Sequence, residues 1–235
     1  MSETTETRPA EDTAPVNEKR PRKKRYATIG VVAAVLVVAG VGFNAWHSQP
    51  SFCTSICHTP MNTLYLETLE AMPGQAATDK WGNNVADANG MLASVHGHVE
   101  GTTIGCLECH VPTIGEQVGE GTAWISGGYE VIETDAGDIM FEKNFTQLTE
   151  AAGDAPETFC LNMACHALTR DQLIQKTASM KRNVHLMPHE NLDCGTCHKS
   201  HRASVNYCSK CHTDATIPDG WLTVEEEQAL KSRAA

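Results

Sequence analysis

The 235-residue sequence predicts a mainly α and irregular protein with one N-terminal transmembrane helix, its external part packed around something other than side chains. Three observations predict this. An uncharged apolar run lies near the N-terminus. Aromatic residues make up only 6% of the chain, thin material for a core of this size. Ten cysteines fall into five pairs, and a His follows the second Cys of every pair.

Residues 1–18 are acidic and polar and read as a disordered tail. The basic run Lys19, Arg20, Arg22, Lys23, Lys24 and Arg25 follows, completing a cytoplasmic tail over 1–26. Residues 27–46 are rich in Val, Ala and Gly and close to the roughly 20 residues that span a bilayer as a helix. The basic flank puts the N-terminal side in the cytoplasm, and Trp46 stands where an interfacial aromatic belongs. A cleaved signal peptide is the rival reading, but its apolar region is shorter. Phe43 also stands where cleavage wants a small residue. We therefore read 27–46 as a retained signal anchor, with 47–235 external to the cytoplasmic membrane. Residues 27–235 carry 11 basic and 24 acidic groups, a net of −13. Such a field excludes nucleic acid as a partner and leaves room for one with a basic docking patch.

The five pairs are Cys53/Cys57 with His58, Cys106/Cys109 with His110, Cys160/Cys165 with His166, Cys194/Cys197 with His198, and Cys208/Cys211 with His212. C-x-x-C-H is the signature of covalent haem c attachment. Two thiols bond the vinyl groups and the adjacent His reaches the iron from the same side. The pairs at Cys106, Cys194 and Cys208 have the standard two-residue spacer. The spacer is three residues at Cys53 and four at Cys160, which still fits if the extra residues bulge outward. Disulfides would not need the histidines. Zinc sites would use paired cysteines but leave five Cys-His repeats unexplained. Five haems are expected, and they form most of the core of a multihaem cytochrome c domain, with short helices and loops around a haem stack. Cys194 and Cys208 lie only 14 positions apart, so their haems should touch. The stretch 111–159 lacks Cys and His and reads as one or two helices broken at Gly127-Gly128. The end 224–231 reads as a short exposed helix capped by Thr223 with Glu226 three residues on.

Six histidines remain beyond the motifs: His47, His96, His98, His185, His189 and His201. Each iron wants a second ligand, so these are candidate distal ligands. Two imidazoles give a low-spin iron suited to electron transfer. His201 lies three residues beyond His198 and should reach a neighbouring haem. Pro188 separates His185 from His189, and His96 and His98 alternate, so they should face different haems. Met61, three residues after His58, points the same way on a helical turn. Either could ligate the first iron, with His47 a further possibility at the membrane edge.

The basic N-terminus, single membrane helix and haem motif with a nearby Met resemble the NapC/NirT/NrfH family of membrane quinol dehydrogenases. Cys106-Leu-Glu-Cys-His-Val-Pro112 and Cys160–His166 with Thr169-Arg170 resemble that family's later motifs. The segment from His185 to His212 is similar to flavocytochrome fumarate reductase and class III cytochrome c haem domains. The resemblance implies electron transfer from menaquinol to an extracytoplasmic reductase in anaerobic respiration, with a flavoprotein or another multihaem cytochrome as acceptor. It also implies Lys80 and Asp87 at the quinol site, with Asp79 a competing choice able to take a proton. Two departures stand out: both intervals of the first motif are one residue longer than usual, and the family core has four haems. Two further functions are expected to compete. One is direct reduction of nitrite or another small molecule at an open haem, which the lack of a C-x-x-C-K motif argues against. The other is a docking subunit that relays electrons without touching quinol.

Overall fold

The computed structural model describes residues 22–57, 64–102, 104–128, 145–189 and 191–233. The chain divides into two units, residues 1–45 and 46–235.

In the first, a continuous helix opens at Arg22 and runs to His47. Its Val- and Ala-rich run is exposed on every side. It is the one helix among the described residues long and apolar enough to cross a membrane. No acidic or basic side chain interrupts residues 27–46, so a helix here has no polar face to turn outward.

The second unit is helical and irregular. A short helix Pro50–Phe52 leads into a wide turn, Cys53–Cys57, with π-type winding. Helices Leu64–Glu70 and Leu92–Gly97 cross so closely that a Cβ on Gly97 would meet the Leu69 carbonyl at 2.6 Å. Between them lies a two-residue antiparallel ladder, Ala77 opposite Val85 and Thr78 opposite Asn84. Helix Ile114–Ser126 starts at a reciprocal cap in which Thr113 and Glu116 satisfy each other's main-chain N–H groups, and stops at Gly127, whose φ of 67° suits glycine. The expected break at Gly127 is therefore present, and residues 129–144 lie outside the described part. Helices Phe145–Ala152, Pro156–Cys160 and Arg170–Lys176 follow. A parallel pairing of Val205 with Leu222 and Asn206 with Thr223 returns the chain to helix Val224–Arg233. Thr223 and Glu226 cap that helix as expected, through mutual bonds of 2.8 and 3.1 Å. It is not wholly exposed: Glu227 pairs with the buried Arg202 at 2.7 Å.

The side-chain core is small. Val85, Ala88, Met91 and Ala203 form it, with Ala71, Ala77 and Leu222 against its edge. Burying Met91 and Val85 contributes about 1.5–3 kcal/mol each. The backbones of Gly90 and Gly220 meet beside this core, where a Cβ on Gly90 would run into the Gly220 carbonyl. Phe52, Ala93 and Val205 are buried outside it, and most of the described motif cysteines are half-buried.

Candidate functional site

Each fully described motif folds the same way. The His amide donates to the carbonyl of the first Cys: His110 to Cys106 at 2.8 Å, His198 to Cys194 at 2.9 Å and His212 to Cys208 at 2.9 Å. His166 reaches Cys160 at 3.2 Å despite two extra residues. Asn162 absorbs those residues. Its side-chain oxygen accepts from the amides of Ala164 and Cys165 at 2.9 and 3.0 Å, and Met163 is thrown outward, 89% exposed. The three-residue spacer at Cys53 is taken up by π winding, which adds a residue to the turn. His58, Met61 and the Cys57 side chain lie outside the described residues.

Four motif histidines face a histidine from elsewhere in the chain. Ring centroids stand 6.1 Å apart for His96 and His166, and 6.2 Å for His110 and His201. They stand 6.4 Å apart both for His185 and His198 and for His189 and His212. Taking roughly 2.0 Å per metal–nitrogen bond and roughly 1.1 Å from nitrogen to ring centre, two imidazoles on opposite faces of one ion stand about 6.2 Å apart. The four separations fit an iron between each pair. His201 thus faces His110, not the His198 beside it in sequence. His96 and His98 part company: the His98 ring turns back to the Ser94 carbonyl at 2.9 Å. His47 packs on Phe52, centroids 4.7 Å apart.

Burial favours the neutral form, the one that can bind a metal, at three of these rings. Desolvation pushes His96 and His185 below the ordinary histidine value. Burial, then the nearby His185 and His166, push His198 down to about 4. Trp221 stands edge-on to His198 at 5.0 Å, and Tyr65 to His201 at 4.9 Å.

The thiols follow chain order. Cys53 hydrogen-bonds Cys106, drawing that thiol down to about 7. Cys109 feels the charge of Cys165. Cys160 hydrogen-bonds Cys194, a bond that with burial holds Cys160 well above the usual thiol range. Cys197 feels the charge of Cys208. Each motif is therefore a neighbour of the next.

The motif cysteines differ in exposure. Cys211 and Cys165 are exposed, whereas the other described motif cysteines are buried or half-buried. Cys211 ends the tight turn Tyr207–Lys210 of the last motif, its amide bonded to the Cys208 carbonyl at 3.2 Å. Cys165 is lifted outward by the bulge that Asn162 closes. Both remain in their motifs, each directly before its His, so exposure corrects their surroundings and not their pairing.

Lys80 and Asp87 are not brought together. Lys80 lies in the hairpin turn, its main chain bonded to His201 at 2.8 Å and its ammonium 5.8 Å from the Tyr65 ring centre and 5.5 Å from that of Trp81. Asp87 lies beyond the paired residues, at the open end of the hairpin. There its carboxylate accepts from the Asn89 and Gly74 amides at 2.8 and 2.9 Å, which hold it below its ordinary value. Asp79 is nearer to Lys80 in the chain. It is buried, which raises its pKa, and it accepts from the Trp81 and Asn83 amides at 2.8 Å each. Arg202 lies 5.0 Å over the Trp81 ring. The chemistry-neutral residues of this site, Thr68, Thr177, Asn162 and Trp81, carry no motif and were invisible to sequence reasoning.

A family model described as cytochrome c3 matches residues 143–213. The cytochrome c-type protein Cgr1 of Eggerthella lenta is 46% identical over 226 residues, spanning 96% of this chain and 100% of that protein. No solved structure matches the chain. Haem c follows from this kinship, and paired thiols with opposed imidazoles are the donors such a group requires. The chain belongs to the multihaem c-type cytochromes.

Proposed function

We propose that this cytochrome takes electrons from the membrane menaquinol pool and passes them through five haems c, in chain order, to an extracytoplasmic reductase. The four opposed imidazole pairs carry this reading. The ten motif cysteines would hold the groups covalently. His110 with His201, His166 with His96, His198 with His185 and His212 with His189 would supply the axial ligands, with His58 and Met61 left for the first group. Such groups, when bound, supply one-electron chemistry, and the chain's part is spacing, orientation and exclusion of water. Two saturated axial faces leave no place for substrate at these four motifs, so direct reduction of nitrite would have to run at motif one.

The membrane side of the proposal is supported by the apolar helix, which ends at His47, six residues before Cys53. Retention as an anchor puts the cytochrome domain on the outer face, where haem attachment takes place. The acceptor is expected to be a flavoprotein or another multihaem cytochrome. Charge differs along the chain: residues 27–169 hold 2 basic and 16 acidic groups, and residues 170–235 hold 9 and 8. The less acidic end carries motifs four and five and suits the exit. The exposed Cys211 lies at that end.

A second reading is favoured by one observation. Lys80 and Asp87 sit at opposite ends of a hairpin, so the pair would not serve one quinol; Asp79 beside Lys80 is the better proton acceptor. A relay fed by another protein needs neither. Full-length protein in detergent, mixed with a reduced menaquinone analogue, decides between them. Haem reduction that a quinone-site inhibitor blocks is expected. No reduction by the quinol, with full reduction by a protein donor, would leave the relay.

A further inference from the structure

We infer that the hydroxyls of Thr68 and Thr177 are positioning groups that fix the tautomer of two distal histidines, His201 and His185, and tune the potential of the iron each one binds. The inference rests on reading the ring pairs as axial pairs.

It follows from counting protons. Thr68 is wholly buried on helix Leu64–Glu70. Its hydroxyl stands 2.8 Å from the Tyr65 carbonyl and 2.7 Å from His201 Nδ1. A hydroxyl has one proton to donate. The carbonyl can only accept, so that proton goes to Tyr65, and the contact with His201 is made by an Nδ1–H donating to the hydroxyl oxygen. Nε2 then carries no proton, the form that can ligate a metal between His201 and His110. The opposite tautomer would put a proton on Nε2 and close that position.

Thr177 repeats the device on an unrelated stretch of chain. Its hydroxyl stands 2.7 Å from the Asn183 side-chain oxygen, 3.0 Å from the Leu173 carbonyl and 3.2 Å from His185 Nδ1. With the Ile174 carbonyl at 3.4 Å, three pure acceptors compete for the single proton, so His185 must donate. Asn183 is itself pinned, donating to the Ile174 carbonyl at 2.7 Å and accepting from the His185 and Leu186 amides at 3.2 and 3.3 Å. The ring is held by its amide and its Nδ1 at once. His96 and His98 solve the same problem with main-chain carbonyls four residues back, Leu92 and Ser94. There the partner is not a side chain, so Thr68 and Thr177 are the places where substitution can reach it.

An Nδ1–H that donates makes the imidazole a stronger electron donor through Nε2. That favours ferric iron. Losing the acceptor weakens the donation and raises the reduction potential of that haem alone.

The test uses the haem-loaded full chain in detergent, with Thr68→Val, Thr68→Ser, Thr177→Val and Thr177→Ser, followed by redox titration and electron paramagnetic resonance. Each Val variant is expected to move one haem's midpoint upward and shift one low-spin signal, leaving haem content unchanged. Each Ser variant keeps the hydroxyl and is expected to titrate as the unaltered protein. Should Val destabilise the fold, Thr→Ala measured on haem-loaded protein reads the same shift. Val and Ala variants that titrate like the parent would overturn the inference, as would Ser and Val shifting alike. If the unaltered protein shows no bis-imidazole low-spin signal, the axial-pair reading itself falls and takes this inference with it.

Discussion

Removing the His185 ring tests the pairing most directly. His185→Ala should leave the iron at the Cys194 motif with His198 alone, since the two rings stand 6.4 Å apart and only 5° from parallel. Four ring pairs share the low-spin bis-imidazole signal, so that signal should fall by about one quarter as one iron becomes high-spin. The substitution also cuts the bond from Nδ1 to Thr177, worth about 0.5–1.5 kcal/mol, a loss the fold should survive. Electron paramagnetic resonance on oxidised protein counts the spins, and added imidazole should enter the emptied space and restore the lost quarter. Two results would refute the pairing. A signal that does not fall means His185 is not an axial ligand. A fall that imidazole cannot reverse, with haem lost, means the ring serves the fold and not the iron.

Other expectations concern the frame that holds these rings. Arg202→Met leaves the Glu227 carboxylate, whose side chain is 14% exposed, paired with the more exposed Lys231 at 3.1 Å, and should cost about 1–3 kcal/mol in chemical denaturation; the double variant with Glu227→Gln should regain most of it. Burial pushes the Glu227 carboxyl up, but Arg202 and Lys231 more than reverse this, so its folded pKa lies below its ordinary 4.5. The stability it contributes is therefore present above that value and lost as pH falls through the folded pKa, and Glu227→Gln should flatten this acid limb of the stability curve. Gly90→Ala should destabilise by about 1–3 kcal/mol because the Gly220 backbone cannot yield, whereas Gly119→Ala, which meets nothing within 4 Å in an exposed helix, should stabilise by about 0.5–1 kcal/mol. Asn162→Ala should lower haem attachment at the Cys160 motif, read as a fraction of chains lighter by one haem; full occupancy would show that the four-residue spacer closes without it.

The attachment motifs were legible because covalent haem chemistry is local: two thiols and a His within one turn. The long apolar helix and the cap at Thr223 were legible for the same reason. Which distal His serves which motif was not, because the partners come from far apart. Thr68 and His201 meet across 133 residues, and no periodicity in so irregular a chain encodes that contact. The exposure of Cys211 was hidden for a like reason, since a motif's spacing says nothing of what the rest of the chain lays over it. Lys80 and Asp87 have a suitable spacing in sequence, but spacing does not show that Lys80 lies in the turn at residues 79–83 and Asp87 beyond the strand that follows it.

Among the described residues the main apolar cluster holds four buried side chains, Val85, Ala88, Met91 and Ala203. A chain so poor in apolar ballast has almost nothing to collapse around before its prosthetic groups are in place. Covalent attachment should therefore come first, on an unfolded polypeptide emerging from the membrane, and each ligation should recruit a distant imidazole. The order in which the molecule assembles would then be set by the enzymes that load it, with the last-loaded group closing the structure.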